Sequence, residues 1–152
     1  MRDRQYLPTR PPPPNGPPQA AGRRLARRRN AQSVFDLPID LESLPRLRTT
    51  VATRAGQLGG DDVRDDVVLV AHELATNVVR HGGGTGRLRL WREAGHIVCR
   101  VSDSGPGLGP TSAEPPGPST PGGRGLWIAR RLADVRIETG PSGTTVVAAL
   151  AL

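Results

Sequence analysis

The order of elements legible in this chain predicts an α/β fold: a two-layer sandwich whose mixed, mainly antiparallel sheet carries its helices on one face. Three observations lead there. Apolar residues recur at helical spacing twice, first over residues 44–58 and again over 63–78. Two pairs of short, alternating, β-branched segments are each joined by a glycine turn, one at Gly95 and one at Gly140-Pro141-Ser142-Gly143. A lone strand precedes the helices and a third helix separates the strand pairs. The order strand, helix, helix, strand, strand, loop, helix, strand, strand leaves the helices to cover one side of a sheet.

Residues 1–30 hold eight arginines, one aspartate and seven prolines, with almost nothing apolar. Such a stretch buries too little surface to offset its ordering entropy, and it is expected to be a disordered tail, with residues 31–152 as the folded domain. Val34, Phe35, Leu37 and Ile39 read as a first strand, cut off near Pro38. Leu44, Leu47, Val51, Ala55 and Leu58 form one helical face, ended by Gly59-Gly60. Asp61 is the expected N-cap of a second helix, with Asp62, Asp65 and Asp66 near its positive end and Gly82-Gly83-Gly84 as its stop. Val63, Val67, Val70, Leu74 and Val78 make its buried face.

Arg87 to Arg92 alternates arginine with Leu88, Leu90 and Trp91, and the partner strand runs through Ile97, Val98, Cys99 and Val101. The stretch 104–123 holds six prolines and reads as a loop of about 18 residues, a length usually tied to function. A third helix is expected from about Gly125 through Leu132. Val135 to Thr139 and Thr144 to Leu150 close the chain as a hairpin.

Composition removes several function classes. The net charge of +7 resides in the tail, because residues 31–152 hold thirteen arginines against thirteen acids. The chain has no lysine, so neither a P-loop nor a protein-kinase fold, each of which needs one on the phosphates, is available, and Schiff-base chemistry is excluded. Cys99 is the only cysteine, which rules out an intrachain disulfide or a zinc cluster. No apolar run of 18 residues occurs, and no apolar stretch follows the arginine runs at 23–29, so neither a membrane span nor a signal peptide is expected. A cytoplasmic protein is the reading. Nucleic-acid binding would rest on the tail alone, where Tyr6 is the single aromatic residue, and is not expected.

On the second helix Asp66, Val70, Glu73 and Asn77 lie in one row at the edge of the apolar face. The Asn77 carbonyl is a hard ligand of the kind Mg²⁺ accepts, the cation taking other ligands from water and phosphate. Glu73 has the chemistry to take a proton from an attacking hydroxyl or water. The pair alone also reads as the polar flank of an amphipathic helix. Asp103 ends a strand and precedes Ser-Gly-Pro-Gly. Its carboxylate is an acceptor for an adenine exocyclic amine, and Gly105 and Gly107 let backbone approach a flat base or sugar; an ordinary turn is the alternative. After Gly105, Gly107 and Gly109 the chain enters prolines and not a helix, so a dinucleotide-binding fingerprint is ruled out. Gly122-Gly123-Arg124-Gly125 opens the third helix, where free N–H groups form an anion site to which Arg124 adds charge. Gly143-Thr144-Thr145 sits at the closing hairpin and alone reads as a turn.

Taken in order, these segments resemble the N, G1, G2 and G3 boxes of the GHKL ATPases, the superfamily of gyrase, the ninety-kilodalton heat-shock chaperone, histidine kinases and MutL. The run His72-Glu73-Leu74-Ala75-Thr76-Asn77-Val78-Val79-Arg80-His81-Gly82 is similar to that of the bacterial anti-sigma-factor serine/threonine kinases. Gly123-Arg124-Gly125-Leu126-Trp127-Ile128 and Gly143-Thr144-Thr145-Val146 fit the same group. The resemblance covers about residues 33–150.

That resemblance implies the Bergerat ATP-binding fold, with ATP and Mg²⁺ as cofactors. It makes Asn77 the Mg²⁺ ligand, Glu73 the catalytic base and Asp103 the partner of adenine. Gly105, Gly107, Gly123, Arg124, Gly125 and Leu126 would lie along the nucleotide, with residues 104–122 as a lid and Thr144 or Thr145 closing the adenine side. It also implies a sigma factor and an antagonist protein as partners, and a homodimer. The function expected is an ATP-binding anti-sigma factor that phosphorylates a serine or threonine of its antagonist. A non-catalytic ATP-binding module that switches partners is the alternative. A detached histidine-kinase catalytic domain is further off, since His72, His81 and His96 all fall inside the ATPase region and a single helix precedes Glu73. One departure stands out: no arginine lies between Asp103 and Gly122, where kinases of this group place one on the phosphates.

Overall fold

The computed structural model describes residues 33–107 and 123–152. The expectations for the tail and for most of the 104–122 loop lie outside those residues. Within them the chain runs β1 (Phe35–Ile39), α1 (Leu44–Gln57), a 3₁₀ turn (Asp61–Val63), α2 (Arg64–His81), β2 (Gly86–Glu93), β3 (His96–Asp103), α3 (Gly123–Leu132), β4 (Asp134–Gly140) and β5 (Gly143–Ala151).

Three local expectations are corrected. β1 continues through Pro38, which pairs with Arg87, because β1 is an edge strand and a missing N–H on its open side costs no ladder bond. Asp61 does not cap α2. It opens the 3₁₀ turn and pairs with Arg64, while Val63 stands at the helix boundary with no side-chain cap. α3 begins at Gly123, two residues before the expected start, which puts Arg124 and Gly125 inside its first turn.

The five strands follow the order β1-β2-β3-β5-β4, and every pairing is antiparallel. The sheet expected to be mixed is thus wholly antiparallel among the described residues. β3 and β4, linked through α3, do point the same way, but β5 lies between them and no parallel ladder forms.

Register places Phe35, Leu90, Cys99, Ala148 and Val135 in one row and Leu37, Leu88, Val101, Val146 and Ile137 in the next. These rows form one core with Leu47, Val51 and Ala55 of α1, Val67, Val70, Ala71, Leu74 and Val78 of α2, and Leu126 and Ala129 of α3. The helices therefore share the face of the sheet that presents these side chains. α1 is held at its start by Asp40 and Ser43, each accepting the other's backbone N–H, and at its end by Gly60 N–H on the Ala55 carbonyl. Hydrogen bonding to the Ser43 backbone N–H, and then to its side chain, keeps the Asp40 carboxyl below the usual carboxylate range. Among the described residues no helix is long and apolar enough to cross a membrane.

Leu90 and Cys99 are register partners at the centre of this core, both fully buried. Leu90→Ala should cost about 2–5 kcal/mol, the sum of lost transfer energy and a residual cavity. Urea unfolding that shows a lower midpoint with an unchanged slope would confirm it. Burial alone pushes the Cys99 thiol from 9.0 up to about 12. An acid whose folded pKa is raised disfavours the folded state only once the unfolded chain ionises, so stability should fall as pH rises from 9.0 toward about 12. Cys99→Ala should flatten that slope, and a thiol reagent at neutral pH should label the chain only in denaturant.

Candidate functional site

The site is assembled where the ends of four elements meet. α2 is amphipathic because its apolar residues recur at three and four, and the edge of that stripe carries Glu73 and Asn77 one turn apart. Both lie against the first turn of α3. A methyl group placed on Gly125 would stand 3.1 Å from Glu73 Oε2 and 3.4 Å from Asn77 Nδ2. The absence of a side chain at Gly125 thus leaves room between a carboxylate, an amide and the N-terminus of a helix. The first N–H groups of a helix have no partner within it, and this end is the positive end of the helix dipole.

The other end of the site is built by β3 and β5. Asp103, the last residue of β3, accepts the Gly105 N–H on Oδ1 at 2.9 Å. Its Oδ2 lies over Gly82, where a methyl would approach to 2.6 Å. Gly82 has φ −98°, a value any residue adopts, so space and not conformation requires glycine there. Its N–H closes α2 by bonding the carbonyls of Asn77 and Val78. Thr144 pairs in register with Asp103 and is buried, whereas Thr145 pairs with Ser102 and lies on the opposite face of the strand.

Asn77, Asp103, Gly107, Leu126 and Thr144 line one narrow cavity of about 20 Å³, joined by Leu74, Val78, Val101 and Val146 as its apolar walls and by His81 and Gly82 at the end of α2. The structure therefore brings Asn77, Asp103, Gly107, Leu126 and Thr144 together directly. Glu73 and Gly125 adjoin them through Asn77, Gly105 abuts Gly82, and Gly123 and Arg124 lie in the same first turn of α3. Arg124 is exposed, and Thr145 is not at the cavity. Of the two threonines, Thr144 lines the cavity.

In the sequence His81 and Gly82 close the 72–82 run, where Gly82 reads as a helix stop and His81 carries no role of its own. Gly82 as a space requirement under Asp103 carries no local signal, since it depends on a strand twenty-one residues away. A larger cavity of about 430 Å³ opens between β1 and α1, lined by Leu37, Asp40, Arg46 and Thr50 among others, and includes none of the motif residues.

The chain belongs to the histidine kinase-like ATPase domain family, whose model matches residues 37–150. A crystal structure of the RsbU and RsbW domains of Rv1364c from Mycobacterium tuberculosis is similar in fold. Its TM-score is 0.58 at 18% identity, over 79% of this chain and 32% of that one. The histidine kinase domain of the Erythrobacter litoralis EL346 blue-light activated histidine kinase gives a TM-score of 0.49 at 19% identity, over 70% and 64% of the two chains. The Acinetobacter baumannii histidine kinase AdeS gives 0.46 at 14% identity, over 88% and 76%. This chain spans about a third of the Rv1364c chain it matches, and the likeness is one of fold. No curated protein matches it.

Gly82→Ala tests the geometry at the Asp103 end. The added methyl would stand 2.6 Å from Asp103 Oδ2 and 2.9 Å from Val78 Cα, so it must turn the Asp103 carboxylate away and shift the end of α2 with it. Adenine-nucleotide affinity is expected to fall at least tenfold, about 1.4 kcal/mol, while circular dichroism stays native. Unchanged affinity in calorimetry would show that Asp103 does not face the base.

Proposed function

We propose that this chain is an ATP-binding regulatory protein, an anti-sigma factor that transfers phosphate from ATP to a serine or threonine of an antagonist protein. The observation that carries the reading is the meeting of Glu73 and Asn77 with the first turn of α3, at one end of a cavity whose other end presents Asp103 and Thr144. One end has the chemistry for an anion and a cation, the other for a purine edge.

The residues fit Mg-ATP. The space a methyl would fill at Gly125 adjoins the Asn77 amide, and Asn77 would hold Mg²⁺ by its side-chain carbonyl. Among the described residues no group of three or more His, Cys, Asp or Glu is placed to hold a metal, and phosphate oxygens and water supply the remaining ligands. When bound, Mg²⁺ neutralises the charge of the phosphates. The N–H groups of α3 and the Arg124 guanidinium would orient the phosphates, and Asp103 would take the adenine amine, with Gly105, Gly107, Gly123 and Leu126 along the nucleotide. In transfer, the hydroxyl oxygen of the antagonist forms the new bond to the γ-phosphorus. The bond to the bridging oxygen breaks, ADP leaves, and the hydroxyl proton passes to Glu73. Positioning and charge neutralisation supply most of the catalysis in such a transfer.

A second reading, a non-catalytic ATP-binding module that switches partners, is favoured by the lack of any arginine between Asp103 and Gly122. In both readings the partners are a sigma factor and its antagonist, the protein works in the cytoplasm, and a homodimer fits the resemblance.

Titration calorimetry with Mg-ATP should give binding to the wild type and at least a tenfold weaker constant for Asn77→Ala. Glu73→Ala should bind within about threefold of wild type but lose about 10²–10⁴-fold in transfer to the antagonist. No heat from the wild type sinks both readings. Binding without any labelling of serine or threonine across candidate antagonists leaves the non-catalytic module.

A further inference from the structure

The sheet has a second face, away from the helices, and register draws a line of side chains across it. Asp36 of β1, Arg89 of β2, Arg100 of β3, Val147 of β5 and Arg136 of β4 are successive partners. Arg89, Arg100 and Arg136 are exposed. Asp36 serves only the near end of the line, where it bonds Arg87 and Arg89. Among the described residues Arg100 and Arg136 are in no ion pair. Three further acids stand on this face. Glu93 accepts the Trp91 Nε1–H at 3.0 Å, while Asp134 and Glu138 flank Arg136 along β4 at the sheet edge.

The middle of this line works against the fold. Side chains directly opposite on antiparallel strands lie about 4.5–5.5 Å apart, and like charges there oppose pairing. Threonine, which strands favour, would fill the exposed position of Arg100 without that repulsion. Arg100 takes no part in the core or in either cavity described above. A positive charge held unanswered at the centre of an open sheet face therefore has its use outside the chain. We propose that this face docks a short acidic segment of a partner protein, with carboxylates on Arg89, Arg100 and Arg136 and apolar side chains on Val147 and Ala149.

The chemistry of the face selects that occupant. A guanidinium holds a carboxylate or a phosphate through paired N–H donors. A nucleic-acid strand carries a phosphate on every nucleotide and stacks its bases on aromatic side chains. Here Glu93, Asp134 and Glu138 rim the line with negative charge, and Trp91, the one aromatic residue on this face among the described residues, is bonded to Glu93. Val147 stands between Arg100 and Arg136, with Ala149 two residues further along β5, and both are half-buried. Arg100 and Arg136 are two strand steps apart, about 10 Å. A few carboxylates set among apolar residues match that pattern, whereas a continuous phosphate backbone meets the acidic rim. A second copy of the chain would bring one arginine line against another.

Amide chemical shifts of the full chain read where a probe binds. The peptide Glu-Val-Glu-Ala-Glu-Val-Glu should shift residues 87–91, 98–102 and 145–149, and a peptide with lysine in place of glutamate should not. Arg100→Thr should weaken that binding about threefold to fivefold, the scale of one exposed ion pair, and Arg100→Thr combined with Arg136→Thr about tenfold. Arg100→Thr should also raise the urea midpoint by relieving the repulsion, and it should leave the Mg-ATP constant unchanged because the line lies outside the cavity. Arg100→Gln stands in should the threonine variant not fold. If the peptide shifts none of β2, β3 and β5, or if binding survives the loss of both arginines, the face is a solvated surface and the proposal is overturned. A lower urea midpoint for Arg100→Thr overturns it as well, since the arginine would then support the sheet. Tighter binding of a single-stranded oligonucleotide on the same strands, or a dimer in sedimentation that Arg100→Thr dissolves, would give the face to a nucleic acid or to a second copy and also overturn it.

Discussion

Where α2 ends, β3 ends and β5 begins, pieces of backbone touch with no side chain between them. A methyl on Gly105 would stand 2.4 Å from the carbonyl carbon of Gly82, and one on Gly143 would stand 2.1 Å from the carbonyl oxygen of Asp103. Backbone cannot give way to a methyl as the tip of a flexible side chain does, so these contacts admit glycine alone. They fix the helix to the sheet at its C-terminal end. Asn77 and Glu73 lie about one and two turns back along the same rigid helix, so their distance from Asp103 is set by the same contacts. Both ends of the cavity thus inherit their spacing from a junction of backbone contacts, with the Asp103 carboxylate seated against it on Gly82 and Gly105.

Much of this was legible in the sequence because it is periodic or local. The apolar stripe of α2, the two hairpins and the glycine-rich start of α3 each carry their signal within a few residues, and all are present. The misses share a cause. Asp61 has the residue type and position of a cap, yet the chain takes a 3₁₀ turn and Asp61 turns to Arg64. Thr144 and Thr145 are chemically alike, and only the register against Asp103 and Ser102 assigns one to the cavity and the other to the outer face. The wholly antiparallel ladder depends on β5 entering between β3 and β4, a choice no single segment encodes.

The outer face of the sheet obeys a different logic. Arg89 stands opposite Arg100 in register, a like-charged pair that opposes strand association. Asp36 answers from the edge strand, bonding Arg87 at 2.8 Å and Arg89 at 3.2 Å. The Arg87 guanidinium, with Arg89 behind it, holds the Asp36 carboxyl below the usual range. On the inner face Arg54 of α1 stacks over Phe35 at 4.4 Å. β1 has only five residues, and it is tied to β2 by charge outside and to α1 by packing inside. Neither tie reaches the cavity, so the strand completes the sheet without entering the chemistry.

The charge at the phosphate end has an internal conflict under the proposed function. With no lysine in the chain, positive potential there comes from the N–H groups of α3 and from Arg124. Glu73 faces the same turn, close enough that a methyl on Gly125 would touch it. A carboxylate and a phosphate charge about 4 Å apart repel by ~4 kcal/mol at an effective dielectric of 20. The closeness that lets Glu73 take a proton therefore works against nucleotide binding. A divalent cation held by Asn77, one turn along the same row, offsets that repulsion without moving the base. Under that function, removing the amide would cost binding, whereas removing the carboxylate, whose repulsion the cation already offsets, would leave binding nearly unchanged and cost the proton transfer. The proposed function would thus divide two separable roles along one helix row, because its two polar residues would bear opposite relations to the same negative charge.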